Sequence, residues 1–436
     1  GVPGSPAGLH ELHRRFGRLP WPEVVAPAIR LAQQGFLVSA RTHRALADKR
    51  DDLAHFPETA AVWLADGEVP ATGTTLRLPN LAATLRGYAE RGPEAITRGP
   101  VAAAVEQASR RHGGVLTAAD LAVYRPVWRE PLRFRAFGWE FASMGLPSSG
   151  GIILGQSLAM LERLAWQERP RFGADRAHLL AEVLRRSFAD RFLLGDPATT
   201  AADADDLLDR DWLARHGDSI DPAHATPSDE IGPREPARTE AAATTHLSVA
   251  DAEGNLVALT TTLNGLFGCK LYVPAAGFFL NNEMDDFTTT PGRPNQFGLI
   301  QGEANSVAPG KRMLSSMTPT LTWRGREAIA LGGRGGSRIP TAVLQTFLAF
   351  ALDGDDLQAA VARPRIHHQW WPDEIRIEAD ALSPETLTRL TAMGHTVRPT
   401  TENAKVNAVR LTPSGTFEAA ADPRGPAVPG VVDPQL

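Results

Sequence analysis

The sequence predicts an α+β fold, or a layered α/β/β/α packing, on three observations. Residues 1–200 carry helical apolar spacing with proline starts and glycine stops, strand-like alternation begins abruptly at Thr244, and 43% of the 436 residues are hydrophobic. Helices first and strands later is the ordering such layered folds show. The hydrophobic share is enough to bury a large core, and 22% charged residues is a globular value.

The elements follow in order. Trp21 to Gly35 has a proline beside its start, apolar residues at helical spacing and a glycine stop. Gly151 to Gln167 carries Ile153, Leu154, Leu158, Leu161 and Leu164 on one helical face, and Ala177 to Leu194 reads as a further helix closed by Gly195-Asp196-Pro197. Ala201 to Asp206 is acidic, and His216 to Ala243 is dense in Pro, Asp, Ser and Ala, which predicts an exposed linker. Two β-rich runs, Thr245–Val249 and Leu256–Leu263, flank the turn chemistry of Asp251-Ala-Glu-Gly-Asn255. Strands are expected over Ala328–Leu331 and Ile375–Glu378, with a helix over Thr341–Leu352.

Charge and composition exclude several classes. The net charge of −5 comes without any basic stripe, which argues against nucleic acid and anionic membranes. The single cysteine, Cys269, permits neither an internal disulfide nor a cysteine zinc site. It reads as structural. His10-Glu-Leu-His13 is not a zinc-protease motif, and Arg334-Gly-Gly-Ser lacks the lysine and spacing of a phosphate loop. His367 and His368 project to opposite sides if extended, so they do not share a metal. No metal and no cofactor is expected.

The hairpin carries the first chemical signal. A five-residue turn at 251–255 pairs Ala250 with Leu256, and this register sets Thr244 opposite Thr262, with Cβ atoms roughly 5 Å apart. Asn264 falls at the same strand end. On geometry alone, an ordinary cross-strand threonine pair is the better account than a catalytic one.

The motifs decide between them. Thr244-Thr245-His246-Leu-Ser-Val and Thr260-Thr-Thr262-Leu-Asn264 resemble the start of the small subunit of gamma-glutamyltransferases. So do Leu280-Asn-Asn-Glu283-Met-Asp-Asp286-Phe, Leu314-Ser315-Ser316-Met-Thr-Pro and Gly332-Gly-Arg-Gly335-Gly336-Ser-Arg. Leu146-Pro-Ser-Ser-Gly-Gly151 and Leu194-Gly-Asp-Pro197 resemble the family's large subunit, and Pro364-Arg-Ile-His-His-Gln-Trp370 and Ala421-Asp-Pro-Arg424 match downstream. The motifs stand in family order along the whole chain.

The resemblance implies the N-terminal-nucleophile hydrolase fold, a four-layer αββα sandwich. It implies a zymogen that cuts itself between Ala243 and Thr244 into a large-subunit portion, 1–243, and a small-subunit portion, 244–436, which together form one composite domain. An alcohol needs a base at neutral pH. The cut releases the α-amine of Thr244, of reference pKa near 8, to take the hydroxyl proton. By the same resemblance Thr262 orients the nucleophile, and the N–H groups of Gly335 and Gly336 form the oxyanion hole. Asp286 and Glu283 read the donor's α-ammonium, Asn264 contacts the head group, and Ser315 and Ser316 bind the α-carboxylate. Taken alone, Glu283, Asp285 and Asp286 read as a solvated acidic turn. Thr290-Pro-Gly-Arg-Pro-Asn-Gln-Phe297-Gly resembles the family's lid loop. Phe297 stands where many members carry a tyrosine bonded to the asparagine matching Asn264, which implies a looser lid and easier hydrolysis.

The implied partners are a gamma-glutamyl donor such as glutathione, and water or an amino-acid or peptide acceptor. The alternatives are a cephalosporin or glutaryl acylase of the same family, against which Asp286 argues, and a catalytically silent homologue serving as a structural or binding subunit. The resemblance implies a periplasmic or secreted protein, although Gly1-Val-Pro-Gly is not an export signal. It also implies a segment ahead of Gly1 with core strands and a carboxylate-clamping arginine. No arginine here takes that role by motif, so weak activity is expected of the chain by itself.

Overall fold

The structure is a computed structural model and describes residues 1–64, 66–200, 204–231 and 242–432, without the side chains of 242 and 243. The central part of the expected linker, residues 232–241, lies outside the described residues. The chain forms two compact units: Gly1–Arg129 with Leu263–Glu283, and Glu130–Thr262 with Met284–Leu436. These boundaries do not follow the division at 243/244, because the segment after Thr262 packs with the N-terminal helices.

The first unit is mostly helical. The helix Trp21–Gln34 has Pro22 in its first turn, where the missing N–H costs nothing, and ends at Gly35 as expected. Its partner Pro79–Arg91 packs beside it, and Val25, Tyr88, Ala89, Ala95 and Ile96 form their shared cluster. The helix Gly99–Arg111 and the small hairpin Tyr272–Val273/Phe278–Phe279 join a second cluster that buries Val105, Leu121, Leu271 and Val273. Cys269 packs against this cluster as a half-buried free thiol, in line with its structural reading.

The second unit is built on a six-stranded antiparallel sheet. Its strands are β1 (Leu132–Ala136), β2 (Trp139–Ser143), β5 (Thr320–Arg324), β6 (Glu327–Arg334), β7 (Lys405–Leu411) and β8 (Phe417–Ala421), in the spatial order β8-β7-β6-β5-β2-β1. The strands β3 (Ala242–Ala250) and β4 (Leu256–Gly265) form a separate hairpin.

Strand alternation assigns the faces of the sheet. On β6, Ile329 and Leu331 join the main hydrophobic cluster with Val406 and Ala408 of β7. Helices α1 (Gly150–Arg163), α2 (Ala174–Asp190) and α3 (Ile339–Ala351) supply much of that cluster. Trp139 and Phe141 of β2 meet Phe347 of α3 at ring-centroid distances of 5.7 and 4.9 Å. The opposite face, with Gly332 and its pair partner Asn407, receives the β3–β4 hairpin. A helix layer, a sheet and a second β layer are thereby stacked.

Two expectations are corrected. Residues 216–231 are not an exposed linker. The helix Arg210–Asp218 covers their start, Ile220 joins the main cluster, and buried Ser228 donates to the Trp370 carbonyl at 2.7 Å. Thr226 and Ser228 are drawn in by hydrogen bonds to Arg186, Glu182 and Trp370, while Asp221 to His224 stay exposed. The helix expected over Ala177–Leu194 begins at Ala174 and tightens into a 3-10 turn at Arg191–Leu193. Among the described residues, no helix is long and apolar enough to cross a membrane.

Candidate active site

The hairpin adopts the register read from its turn. Asp251 Oδ1 accepts from the N–H groups of Glu253 and Asn255, each at 2.9 Å, an Asx arrangement that closes the loop. Thr244 Oγ1 then donates to Thr262 Oγ1 at 3.2 Å. Two residues along, His246 Nδ1 meets Thr260 Oγ1 at 2.8 Å. Thr244 is buried.

His246 completes this region, and sequence reasoning passed over it. Its Nε2 lies 3.0 Å from Ser248 Oγ, and Ser248 Oγ donates to the Asn407 carbonyl at 3.2 Å. The serine proton is therefore committed, so Nε2 carries the imidazole proton and Nδ1 accepts from Thr260. Burial lowers the His246 pKa to about 4, so the ring is neutral at pH 7. Asn407 Nδ2 returns a bond to the His246 carbonyl at 3.1 Å. Gly332 is obligatory beneath the ring, because any Cβ there would overlap the imidazole.

The expected oxyanion residues follow β6 directly. Gly335 has φ +146°, and a Cβ on it would sit 2.6 Å from the Ala404 Cβ, so no other residue fits. Gly336 opens the 3-10 turn Gly336–Arg338, which runs into α3. β3 passes close to this turn. The turn that leads into α3 thus lies beside β3, the strand that carries Thr244.

Asp286 and the serine pair belong to the same unit. The Asp286 carbonyl accepts from Asn305 Nδ2 at 2.6 Å and Gln301 Nε2 at 3.2 Å, and its side chain takes a longer contact of 3.4 Å from Asn295. Ser315 is braced by the loop before α1: its N–H donates to the Pro147 carbonyl at 2.7 Å, and its carbonyl accepts from Ser149 N and Oγ, both at 2.9 Å. Ser315 Oγ accepts from the Met317 N–H at 3.1 Å. Ser316 Oγ is buried and has no partner among the described residues.

Asn264 and Glu283 lie in the other unit. Asn264 holds φ +69°, a conformation asparagine tolerates better than most residues, and donates to the Asn282 carbonyl at 3.2 Å. Glu283 Oε1 is buried with no hydrogen-bond partner among the described residues. Burial raises the Glu283 pKa to about 7. It is not the solvated acid that its local sequence suggests.

Phe297 differs from the loose lid expected. Its ring is buried in the main cluster, its N–H donates to Asn295 Oδ1 at 3.0 Å, and its carbonyl accepts from Gln369 Nε2 at 3.1 Å. An apolar ring gains more by packing than by lying over an open cleft, so this position anchors its loop. Gln369 also receives the Ser337 hydroxyl at 2.7 Å, tying that loop to the glycine turn.

The described residues hold one group with metal-ligand chemistry: His178, Glu182 and His395, whose donor atoms lie within 4.8 Å of one another. The group is already spoken for. His178 Nδ1 and His395 Nε2 bond each other at 2.8 Å, and Glu182 accepts from Arg186 at 2.7 Å and the Thr226 N–H at 3.1 Å. His367 and His368 face different partners, Thr341 and Gln369 for the first and Asp373 for the second.

Known proteins resemble the chain throughout. The family profile of Gamma-glutamyltranspeptidase matches residues 1–432. The chain is 38% identical over 431 residues to a glutathione hydrolase proenzyme of Escherichia coli, covering 97% of this chain and 73% of that protein. A glutathione hydrolase proenzyme of Pseudomonas aeruginosa is 38% identical over 441 residues, covering 100% and 78%. An Acylase ACY 1 proenzyme of a Pseudomonas species is 36% identical over 435 residues, covering 98% and 74%. Among solved structures, a cephalosporin acylase from Bacillus halodurans superposes with a TM-score of 0.85 at 23% identity, covering 99% of this chain and 78% of that one. The fold is that of the N-terminal-nucleophile hydrolases, and the chain belongs to the gamma-glutamyltranspeptidase family.

Proposed function

We propose that the chain is a gamma-glutamyl hydrolase and transferase whose nucleophile is the Thr244 hydroxyl, freed by self-cleavage after Ala243. The observation that carries this reading is the bond from Thr244 Oγ1 to Thr262 Oγ1 at the head of the hairpin, in a chain whose relatives include glutathione hydrolase proenzymes. After cleavage the α-amine of Thr244 takes the hydroxyl proton, directly or through a water, while Thr262 holds the oxygen in place. Thr244 Oγ1 adds to the donor's γ-carbonyl carbon. The resulting oxyanion is received by the N–H groups of Gly335 and Gly336, and its collapse expels the amine with the proton from the base. Water or an acceptor amine then attacks the acyl-threonine ester by the same steps in reverse.

Asp286 and Glu283 are the carboxylates for the donor's α-ammonium, Asn264 a further head-group contact, and Ser315 and Ser316 the hydroxyls for its α-carboxylate. Ser316 Oγ and Glu283 Oε1, each buried and unpartnered within its own unit, suit groups that a charged ligand completes. A second reading, an acylase, is favoured by the likeness to Acylase ACY 1. Two measurements separate the readings: the intact mass of the purified protein, and hydrolysis of gamma-glutamyl-p-nitroanilide against glutaryl-p-nitroanilide. Two fragments and a preference for the amine-bearing donor support the proposal. Two fragments with a glutaryl preference support the acylase, and one uncut, inactive chain supports a silent homologue.

A further inference from the structure

Arg191 sits on the 3-10 turn that ends α2 and is 1% exposed. Its guanidinium spends all three nitrogens on neutral acceptors. Nε donates to Ser149 Oγ at 3.1 Å, Nη1 to Gln301 Oε1 at 2.7 Å, and Nη2 to the Leu314 carbonyl at 3.3 Å. Three of its five N–H groups are thereby engaged within the fold and the side chain is buried, so Arg191 reads as a brace for these groups rather than as a carboxylate clamp.

Each contact leads to a residue of donor recognition. Ser149 passes its own hydroxyl proton to the Ser315 carbonyl at 2.9 Å. Gln301 Oε1 also accepts from Asn305 Nδ2 at 2.8 Å, and the amides of Gln301 and Asn305 both hold the Asp286 carbonyl. Asn305 Oδ1 accepts from the Leu314 N–H at 2.9 Å, which closes a ring back to Arg191. The negative charge that favours the ionised guanidinium is Asp286. A buried cation is costly unless its donors are bonded and a counter-charge is near, and both conditions are met only while this arrangement holds.

We propose that Arg191 is a positioning residue for donor recognition, which fixes Asp286, the reader of the α-ammonium, in one geometry with Ser315 and Ser316, the readers of the α-carboxylate. The inference rests on the gamma-glutamyl reading above. Arginine suits the task because its planar fork addresses three acceptors at set angles, whereas lysine carries the same charge as a point. Residues that fix a recognition geometry act through the spacing of the groups they hold, so their loss shows as lost discrimination.

The test compares three donors with the same leaving group. Gamma-glutamyl-p-nitroanilide has both charged groups, glutaryl-p-nitroanilide lacks the amine, and 4-aminobutyryl-p-nitroanilide lacks the carboxylate. In Arg191→Lys, the preference for the full donor over each truncated one should fall together, by about 10-fold in kcat/KM, as expected for a displaced charge-assisted bond. Most of the loss should lie in KM. Ser149→Ala, which removes the two bonds that run from Arg191 through Ser149 to Ser315 and leaves the path through Gln301 intact, should reduce only the preference that depends on the carboxylate. An equal loss for all three donors, or a lower melting temperature with both preferences intact, makes Arg191 a structural residue only and overturns the inference. If Arg191→Lys does not fold, Ser149→Ala decides, and an unchanged carboxylate preference in it counts against the proposal. Absence of any preference for the full donor in the unmodified protein overturns the gamma-glutamyl reading instead.

Discussion

The nucleophile hairpin as far as Thr262 and the segment from Met284 to Ser316 belong to one compact unit and handle their polar groups in opposite ways. In the hairpin the partners are internal: Thr244 with Thr262, His246 with Thr260 and Ser248, and Ser248 with Asn407. Among the described residues, no buried side-chain polar atom of the hairpin lacks a partner, whereas Thr288 Oγ1 and Ser316 Oγ in the later segment do. Buried polar atoms are rarely left unmet without a reason. Under the proposed function, this difference means that the hairpin's geometry is closed by the fold, whereas Ser316 keeps a hydroxyl free for what binds.

The largest test of this contrast is Thr244→Ala. Under the proposed mechanism it should leave one uncut chain by mass spectrometry and no detectable donor hydrolysis, with the fold intact by circular dichroism. Cleavage persisting in this variant would move the nucleophile elsewhere. Asp286→Asn comes next. A carboxylate–ammonium bond is worth about 1.5–3 kcal/mol, so roughly a 10–150-fold loss in kcat/KM is expected for gamma-glutamyl donors, mainly through KM. Glutaryl donors, lacking the amine, should lose far less. Equal losses would remove Asp286 from amine recognition.

Ser316→Ala sharpens the comparison from the other side. Its hydroxyl has nothing to lose in the free protein, so the melting temperature should hold or rise slightly. Donors carrying the α-carboxylate should still lose about 10-fold in kcat/KM, the worth of one hydrogen bond to a charged group. A matched fall in stability would show that the hydroxyl is already engaged in the free protein.

The hairpin was legible because its information is local. The turn residues Asp251 to Asn255 set the register, and the alternation from Thr244 onward set the faces. Helices such as Trp21–Gln34 were legible for the same reason, with caps and period agreeing. Features built from distant parts of the chain leave no period to read. Arg191 looks like any polar end of a helix until Ser149, Gln301 and Leu314 close around it. Ser228 reads as linker until it meets Trp370. Phe297 resembles a lid residue by motif, yet its packing is decided by cluster neighbours far away in sequence. Glu283 has the local sequence of a surface acid, and only its burial reveals otherwise.

Glu283 provides the smallest and most selective test. Its folded pKa of about 7 stands above the ordinary 4.5, with burial as the cause. Between those values the unfolded chain has released the proton that the folded protein keeps. Stability therefore falls as pH rises through this window and is level above it. Glu283→Gln has no proton to lose there. Its melting temperature should match that of the unmodified protein near pH 4.5 and exceed it by a few degrees at pH 8, as removal of a buried charge in a large chain would give. An amine-bearing donor analogue should narrow the gap at pH 8 by supplying the counter-charge to the unmodified protein alone. Weaker donor binding in the variant at pH 8 would complete the picture, because the ionised carboxylate is the form that meets an ammonium. A melting-temperature difference that does not change with pH would show that Glu283 is ionised at ordinary cost, and the contrast between a finished hairpin and unfinished recognition groups would then not extend to it.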